Sequence, residues 1–359
     1  RYGQRSARGT VDRGRQSIGG YFCTTHRFTI DSPDMSEQST VFRRLAVLTI
    51  VSVFLLIAVG SIVRVTGSGM GCPDWPTCFG RIIPPTSVRE LPADYKTRWA
   101  VQGKEIADFN AFHTWTEYLN RLLGVLIGIF IFATFLASLR WRRSDRQVTL
   151  ASLAALLFVM FEGWLGAKVV EHDLRAALVT VHYVGALFVV FALVYALVRA
   201  QRTRWQDEYV TEYGSAHRWL YGATAILFLQ VLMGTRVRGL VDEVAKTMMN
   251  NGRDTWLDLV GMPFYVHRSF SILVLLVFAR MMVVLYRTAG HNARIITWQV
   301  VVAVLMGLEV VTGIVMTYLG IPVVAQPLHL VLSSLLLATN VMLILRLRVM
   351  RSNTVRRDG

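Results

Sequence analysis

The sequence predicts an all-α polytopic membrane protein, eight transmembrane helices arranged as two duplicated four-helix bundles. Three observations predict it. Of 359 residues, 53% are hydrophobic and only 17% charged, with a mean hydropathy of +0.45, far from the quarter of charged residues usual in soluble domains. Eight stretches are long and apolar enough to cross a bilayer core, which takes about 20 residues as a helix. The two halves also carry the same polar residues inside these stretches at the same separations.

The spans, in order, are 43–64, 114–139, 148–169, 176–199, 218–240, 262–286, 295–319 and 325–346. Each is too long for a strand and too apolar for a surface helix, and in lipid only helices or closed barrels satisfy every backbone group. Lys+Arg 38 against Asp+Glu 23 gives a net charge of +15. In a soluble chain that would suggest a nucleic-acid face. Here the basic residues fall between apolar stretches, so the expected partner is membrane lipid and not nucleic acid. RWRRSDR after the second span, RAQRTRW after the fourth, YRTAGHNAR after the sixth and RLRVMRSNTVRR at the end all lie on one side. The positive-inside rule makes that side cytoplasmic and puts both termini there, across an inner (cell) membrane. The opposite side receives a long loop at 65–113, a short EHDLR link, a loop at 241–261 and a turn at Ile321 and Pro322.

Three domains follow: an N-terminal extension over 1–40, a first four-helix half over 41–200 and a second over 217–351. Residues 1–34 hold six arginines and no 7–15-residue apolar run, so no secretory signal is expected there. They read as sequence upstream of a start at Met35, or as a mitochondrial transit peptide, which would move the protein to the mitochondrial inner membrane. Three cysteines are too few for a disulfide scaffold or a thiolate metal cluster.

The repeat is specific. Glu162 precedes His182 by 20 positions and Glu309 precedes His329 by 20; Asn120 precedes His182 by 62 and His267 precedes His329 by 62. Gly166 and Gly313 each follow their glutamate by four, Asn120-Arg121 matches His267-Arg268, and GSIVR ending at Arg64 echoes GTRVR ending at Arg238. A 27-residue insertion in the first outer loop accounts for the remaining difference. Four helices duplicated in parallel explain the pattern. Asn120, His182, His267 and His329 then share one depth in the outer half of the bilayer.

Histidines at one depth point to haem, since neutral imidazole is a good axial ligand for iron. The structural alternative is hydrogen bonding between helices. His267 and His329, on different helices of the second half, would form a bis-histidine site. Glu117 lies three residues before Asn120 on the same face, where a carboxylate moves protons beside a bound substrate or pairs with Arg121 one turn on. Arg64, Arg121, Arg238 and Arg268 either meet haem propionates or snorkel outward. The glycine following Glu162 and Glu309 fits close helix approach or room for a porphyrin plane, with helix-to-helix bonding the role expected of both glutamates. Cys72 and Cys78, in GCPDWPTCFG of the outer loop, form a structural disulfide or a cycling redox pair.

At these residues the chain resembles the haem A synthase family. VRVTGSGMGCPDWPTCFGRIIPP at 63–85 is similar to that family's first outer loop, and EYLNR at 117–121, VHY around His182, VHR around His267 and PLHL around His329 fall where its functional segments do. The resemblance covers nearly all of 41–351. It implies eight helices in two halves and oxidation of the C8 methyl of haem O to a formyl, giving haem A for cytochrome oxidase. By the same resemblance His267 and His329 hold a resident b-type haem (haem b), His182 binds the substrate iron, and Glu117 is the catalytic carboxylate. Expected partners are haem O, its supplying farnesyltransferase, an electron acceptor of unspecified kind and, as an option, a second copy of the chain. Many members read E-x-x-H where this chain has Glu117-Tyr118-Leu119-Asn120, and the second outer cysteine pair of some members is absent. The rival classes are a non-catalytic membrane b-type cytochrome and a haem-binding or transfer protein without chemistry.

Overall fold

A computed structural model describes residues 35–202, 213–249, 251–289 and 292–357. The extension at 1–34 lies outside the described residues. Among the described residues eight helices are long and apolar enough to span a membrane. They are α1 (Met35–Val65), α2 (Ala111–Ser138), α3 (Arg146–Glu171), α4 (Ala176–Ala200), α5 (Tyr213–Thr247), α6 (Met262–Ala289), α7 (Ala293–Tyr318) and α8 (Ala325–Arg357). The protein is therefore an all-helical, multi-pass membrane protein.

Polar caps start the helices at the membrane boundary, where the first amides have no partner within the helix. The Asn110 side chain accepts from the amides of Phe112 and His113 to open α2, Asp145 from Gln147 to open α3, and Asn292 from Arg294 and Ile295 to open α7. Asp145 also takes Arg199 at 2.8 Å and Arg202 at 3.0 Å, tying the end of α4 to the start of α3.

Neighbouring helices pack in pairs: α1 on α2, α3 on α4, α5 on α6 and α7 on α8. The last helix also touches α1, α4 and α5, so it lies between the halves. Two apolar cores form on either side of it. One joins Leu220 and Leu227 of α5, Met281 and Leu285 of α6 and Leu336, Leu337 and Leu343 of α8. The other joins Val53 and Ile57 of α1, Ile127 and Ile131 of α2, Ala155 of α3, Val190 and Leu193 of α4 and Ala338 of α8. A polar bridge from α4 to α8, Tyr183 Oη to Ser334 Oγ at 2.8 Å, crosses this largely apolar contact.

One helix runs further than its apolar stretch. α5 continues to Thr247 instead of ending near 240, because Val237 and Val241 bury against Trp256, Val260, Phe264 and Ile321 outside the apolar span. Trp256–Val260 and Tyr95–Arg98 are short outer helices with no hydropathy signal of their own. The extra turns of α5 carry Asp242 into the polar chemistry described below.

Candidate functional site

The loop at 65–113 folds onto the N-terminal end of α2. Cys72 and Cys78 are joined in a disulfide, and Phe79 packs edge-on against Tyr95, Trp99 and Phe109. Phe79 and Gly80 both have positive φ, a costly conformation for phenylalanine; the Asp74 carboxylate offsets it by accepting both of their amides. The loop's polar interior is then handed to α2. Cys72 N–H donates to Glu117 Oε2 at 2.8 Å, while Glu117 Oε1 takes Arg121 Nη2 at 2.5 Å and Nε at 3.2 Å. Arg121 donates further to the carbonyls of Cys72 (2.8 Å), Asp74 (2.6 Å) and Thr77 (3.0 Å). Glu117 is only 4% exposed, so a carboxylate is held under the loop by one backbone amide and one guanidinium. Arg121 spends its donors on this clamp.

The other arginines are placed differently. Arg64 and Arg238 converge on Asp242, at 2.6 Å and 2.7 Å, and Arg238 also donates to Gln326. The two repeat-related cations thus share one carboxylate and leave a net positive charge at the outer junction of the halves. Arg268 lies over the rings of Phe264 and Tyr265. Sequence reasoning missed Asp242, because nothing in a chain of α5 residues shows that it meets an arginine 178 positions earlier.

The four residues at the common depth each face a glycine on a neighbouring helix. A Cβ on Gly60 would stand 4.0 Å from Asn120 Oδ1, on Gly166 3.6 Å from His182 Cε1, on Gly234 3.1 Å from His267 Cε1 and on Gly313 3.6 Å from His329 Cε1. The approach is tightest at His267, where a Cβ on Gly234 would force the ring to give way, and at the other three positions a Cβ would stand in ordinary contact. His267 Nδ1 and Asn120 Oδ1 are buried without hydrogen-bond partners, an arrangement that costs stability unless another group meets it. His329 Nδ1 is held by Thr312 Oγ1 at 2.9 Å. Among the described residues no three His, Cys, Asp or Glu side chains are grouped to hold a bare metal ion.

The repeat also shows where the halves part. Position 264, which is 147 residues after Glu117, is Phe264, buried in the apolar cluster at the end of α5. The first half therefore has a carboxylate where the second has a hydrocarbon. The profile of the cytochrome oxidase assembly protein family matches residues 43–341. The chain belongs to that family. Its relatives include proteins named "Heme A synthase" in Shewanella oneidensis, 25% identical over 65% of this chain and 70% of that protein. Others of the same name are in Halalkalibacterium halodurans, 20% identical over 81% and 92%, and Sinorhizobium fredii, 24% identical over 84% and 88%. The family match runs through both halves, from the first turns of α1 to α8.

Proposed function

We propose that this chain is a haem A synthase, a membrane oxidoreductase that converts the C8 methyl of haem O to a formyl, and that the two halves divide the work. The observation that carries this is the pairing of Glu117 with a glycine-faced ligand layer in the first half, against Phe264 in the same position of the second. A buried carboxylate one turn before Asn120, in the half that carries His182, supports a reacting site there. Two histidines with no carboxylate at the Phe264 position support a resident haem b between His267 and His329, which when bound supplies one-electron transfer.

Turning a methyl into a formyl removes four electrons, which pass to the acceptor, and adds one oxygen; with water supplying that oxygen four protons are released, so the site needs a proton acceptor. Glu117 supplies an acceptor: Oε2 faces the Cys72 amide and Oε1 the Arg121 guanidinium, both of which stabilise the ionised form. The loop over Glu117 shields its carboxylate from water. The shared Asp242 leaves Arg64 and Arg238 with spare positive charge for propionates, and Arg268 extends this charge on the second half. The basic loops support an orientation with both termini cytoplasmic in an inner membrane. Haem O would arrive from its farnesyltransferase and electrons would pass to a separate acceptor; the exposed apolar helix faces leave room for lipid or a second copy.

The direct test is chromatography of haems from membranes that express the chain and are supplied with haem O. Haem A should accumulate; haem O unchanged despite bound haem b would favour a non-catalytic cytochrome. Asn120 makes a second expectation. An amide is a poor iron ligand, so His182 is the one strong ligand of the first site. Asn120→His, with Gly60 leaving room for the ring, should add a second low-spin species and hold haem O at least about tenfold longer, equivalent to about 1.4 kcal/mol. Haem A release should slow accordingly.

A further inference from the structure

The two halves hold the histidines of α4 and α8 by different groups. In the first, Glu162 Oε2 lies 2.7 Å from His182 Nδ1. The carboxylate reaches that place because residue 185 is glycine: a Cβ there would collide with Glu162 Oε1. In the second half, 147 residues on, Glu309, Thr312 and Leu332 stand where Glu162, Leu165 and Gly185 stand. Leu332 is buried on the helix face that Gly185 leaves bare. His329 Nδ1 meets the Thr312 hydroxyl at 2.9 Å, and Glu309 Oε1 stands 3.3 Å from the other nitrogen, Nε2.

The glutamate is kept, and the other two positions change together. Glycine at 185 and leucine at 165 accompany a carboxylate at Nδ1; leucine at 332 and threonine at 312 accompany a hydroxyl. A repeated scaffold has two consistent ways of fixing an imidazole, and each half uses one. The partner at Nδ1 decides how strongly Nε2 donates to a metal. A carboxylate draws the Nδ1 proton toward itself and makes the ring electron-rich, whereas a hydroxyl fixes the tautomer with little transfer of charge.

We infer that Glu162 is a positioning residue that makes His182 an electron-donating ligand for the substrate iron, while Thr312 keeps His329 a neutral ligand suited to a resident electron carrier. This rests on the reading that haem O binds through His182. The His182 ring is half-exposed at 43%, against 8% for Glu162, and it is turned so that neither Nδ1 nor the carboxylate forms an aligned hydrogen bond. A turn about the ring's bond to Cβ brings Nδ1–H onto Oε2 and aims Nε2 away from Glu162. Gly166, beside Cε1 and Nε2, leaves the space for that turn. The more donating ligand favours ferric over ferrous iron and so lowers the potential of the first site.

The test uses the full chain loaded with haem O, with the second-half haem spectrum and the thermal midpoint as folding controls. Glu162→Gln keeps the shape and removes the charge. Haem O retention in the first site should fall about 10- to 100-fold, and its midpoint potential should rise by about 59 mV for each tenfold loss of preference for ferric iron. Gly185→Ala leaves the carboxylate in the chain but displaces it, and should shift the potential the same way. The double change Leu165→Thr, Gly185→Leu, which keeps the glutamate as the second half does, installs that half's arrangement; it should keep haem O retention near wild type while the potential is raised. An unchanged potential in both Glu162→Gln and Gly185→Ala, with haem O still released by His182→Ala, overturns the inference alone. Retention that does not depend on His182 overturns the underlying reading of the site, and this inference with it.

Discussion

Glu117→Ala is expected to abolish haem A formation while leaving the second-half haem spectrum intact. The side chain is nearly sequestered, and its two oxygens are committed to different structures, one to the loop amide of Cys72 and the other to Arg121. Loss of a positioned proton acceptor costs about 10²- to 10⁴-fold in rate, enough to bring haem A below detection. Alanine also removes the anchor of the loop, which would leave the Cys72 amide and Arg121 without their buried acceptor at a cost of about 1–3 kcal/mol each. Glu117→Gln separates the two effects. The amide oxygen still accepts from Cys72, so hydrogen exchange in the loop should stay near wild type, yet the variant should be as inactive as alanine because it cannot take a proton. Chromatography of haems from membranes supplied with haem O reads the activity, and wild-type haem A in the alanine variant would show that this carboxylate is not catalytic.

The membrane helices were legible because hydropathy and length decide them locally: a run of apolar residues long enough to cross lipid has one way to satisfy its backbone. The candidate ligands were legible because the repeat aligns them, and the Cys72–Cys78 bridge because six positions in an outer loop bring the thiols within reach. What escaped depends on approach between distant segments. Arg121 reads as a propionate partner or a snorkelling cation, yet its donors go to loop carbonyls 44 to 49 residues earlier. Asp242 sits beyond the apolar stretch of α5, in turns that bury against Trp256, and meets Arg64 only because the halves pack side by side. Gly185 and Thr312 carry no signal of their own within their helices. Their meaning appears when the residue opposite is known, Glu162 against the glycine and His329 against the hydroxyl. Glu162 and Glu309, expected to bond helix to helix, do reach across helix pairs, but the group each reaches is a histidine of the ligand layer.

Replacing His267 or His329 with alanine should remove a low-spin band from the reduced-minus-oxidised spectrum of the purified protein. The expectation follows from geometry on two helices. Gly234 and Gly313 lie beside the two rings, at positions that correspond in the repeat to Gly60 and Gly166 of the first half. Two imidazoles bound to one iron give a strong axial field, so removal of either leaves a five-coordinate or water-ligated iron and takes the low-spin signature away. Thr312→Val offers a graded version, because it keeps the volume and deletes the hydroxyl that fixes His329 Nδ1. Removing such an outer partner weakens metal binding about 10- to 100-fold, so this variant should lose haem slowly on dilution and keep the band when haem is in excess. The alanine variants should not recover under those conditions. A ligand that binds only the folded protein also stabilises it by mass action, about 2.7 kcal/mol at a hundredfold excess over its dissociation constant, so loss of the band should come with a lower thermal midpoint. An unchanged spectrum and midpoint in both alanine variants would remove the resident haem from this half, and with it the division of labour between the halves.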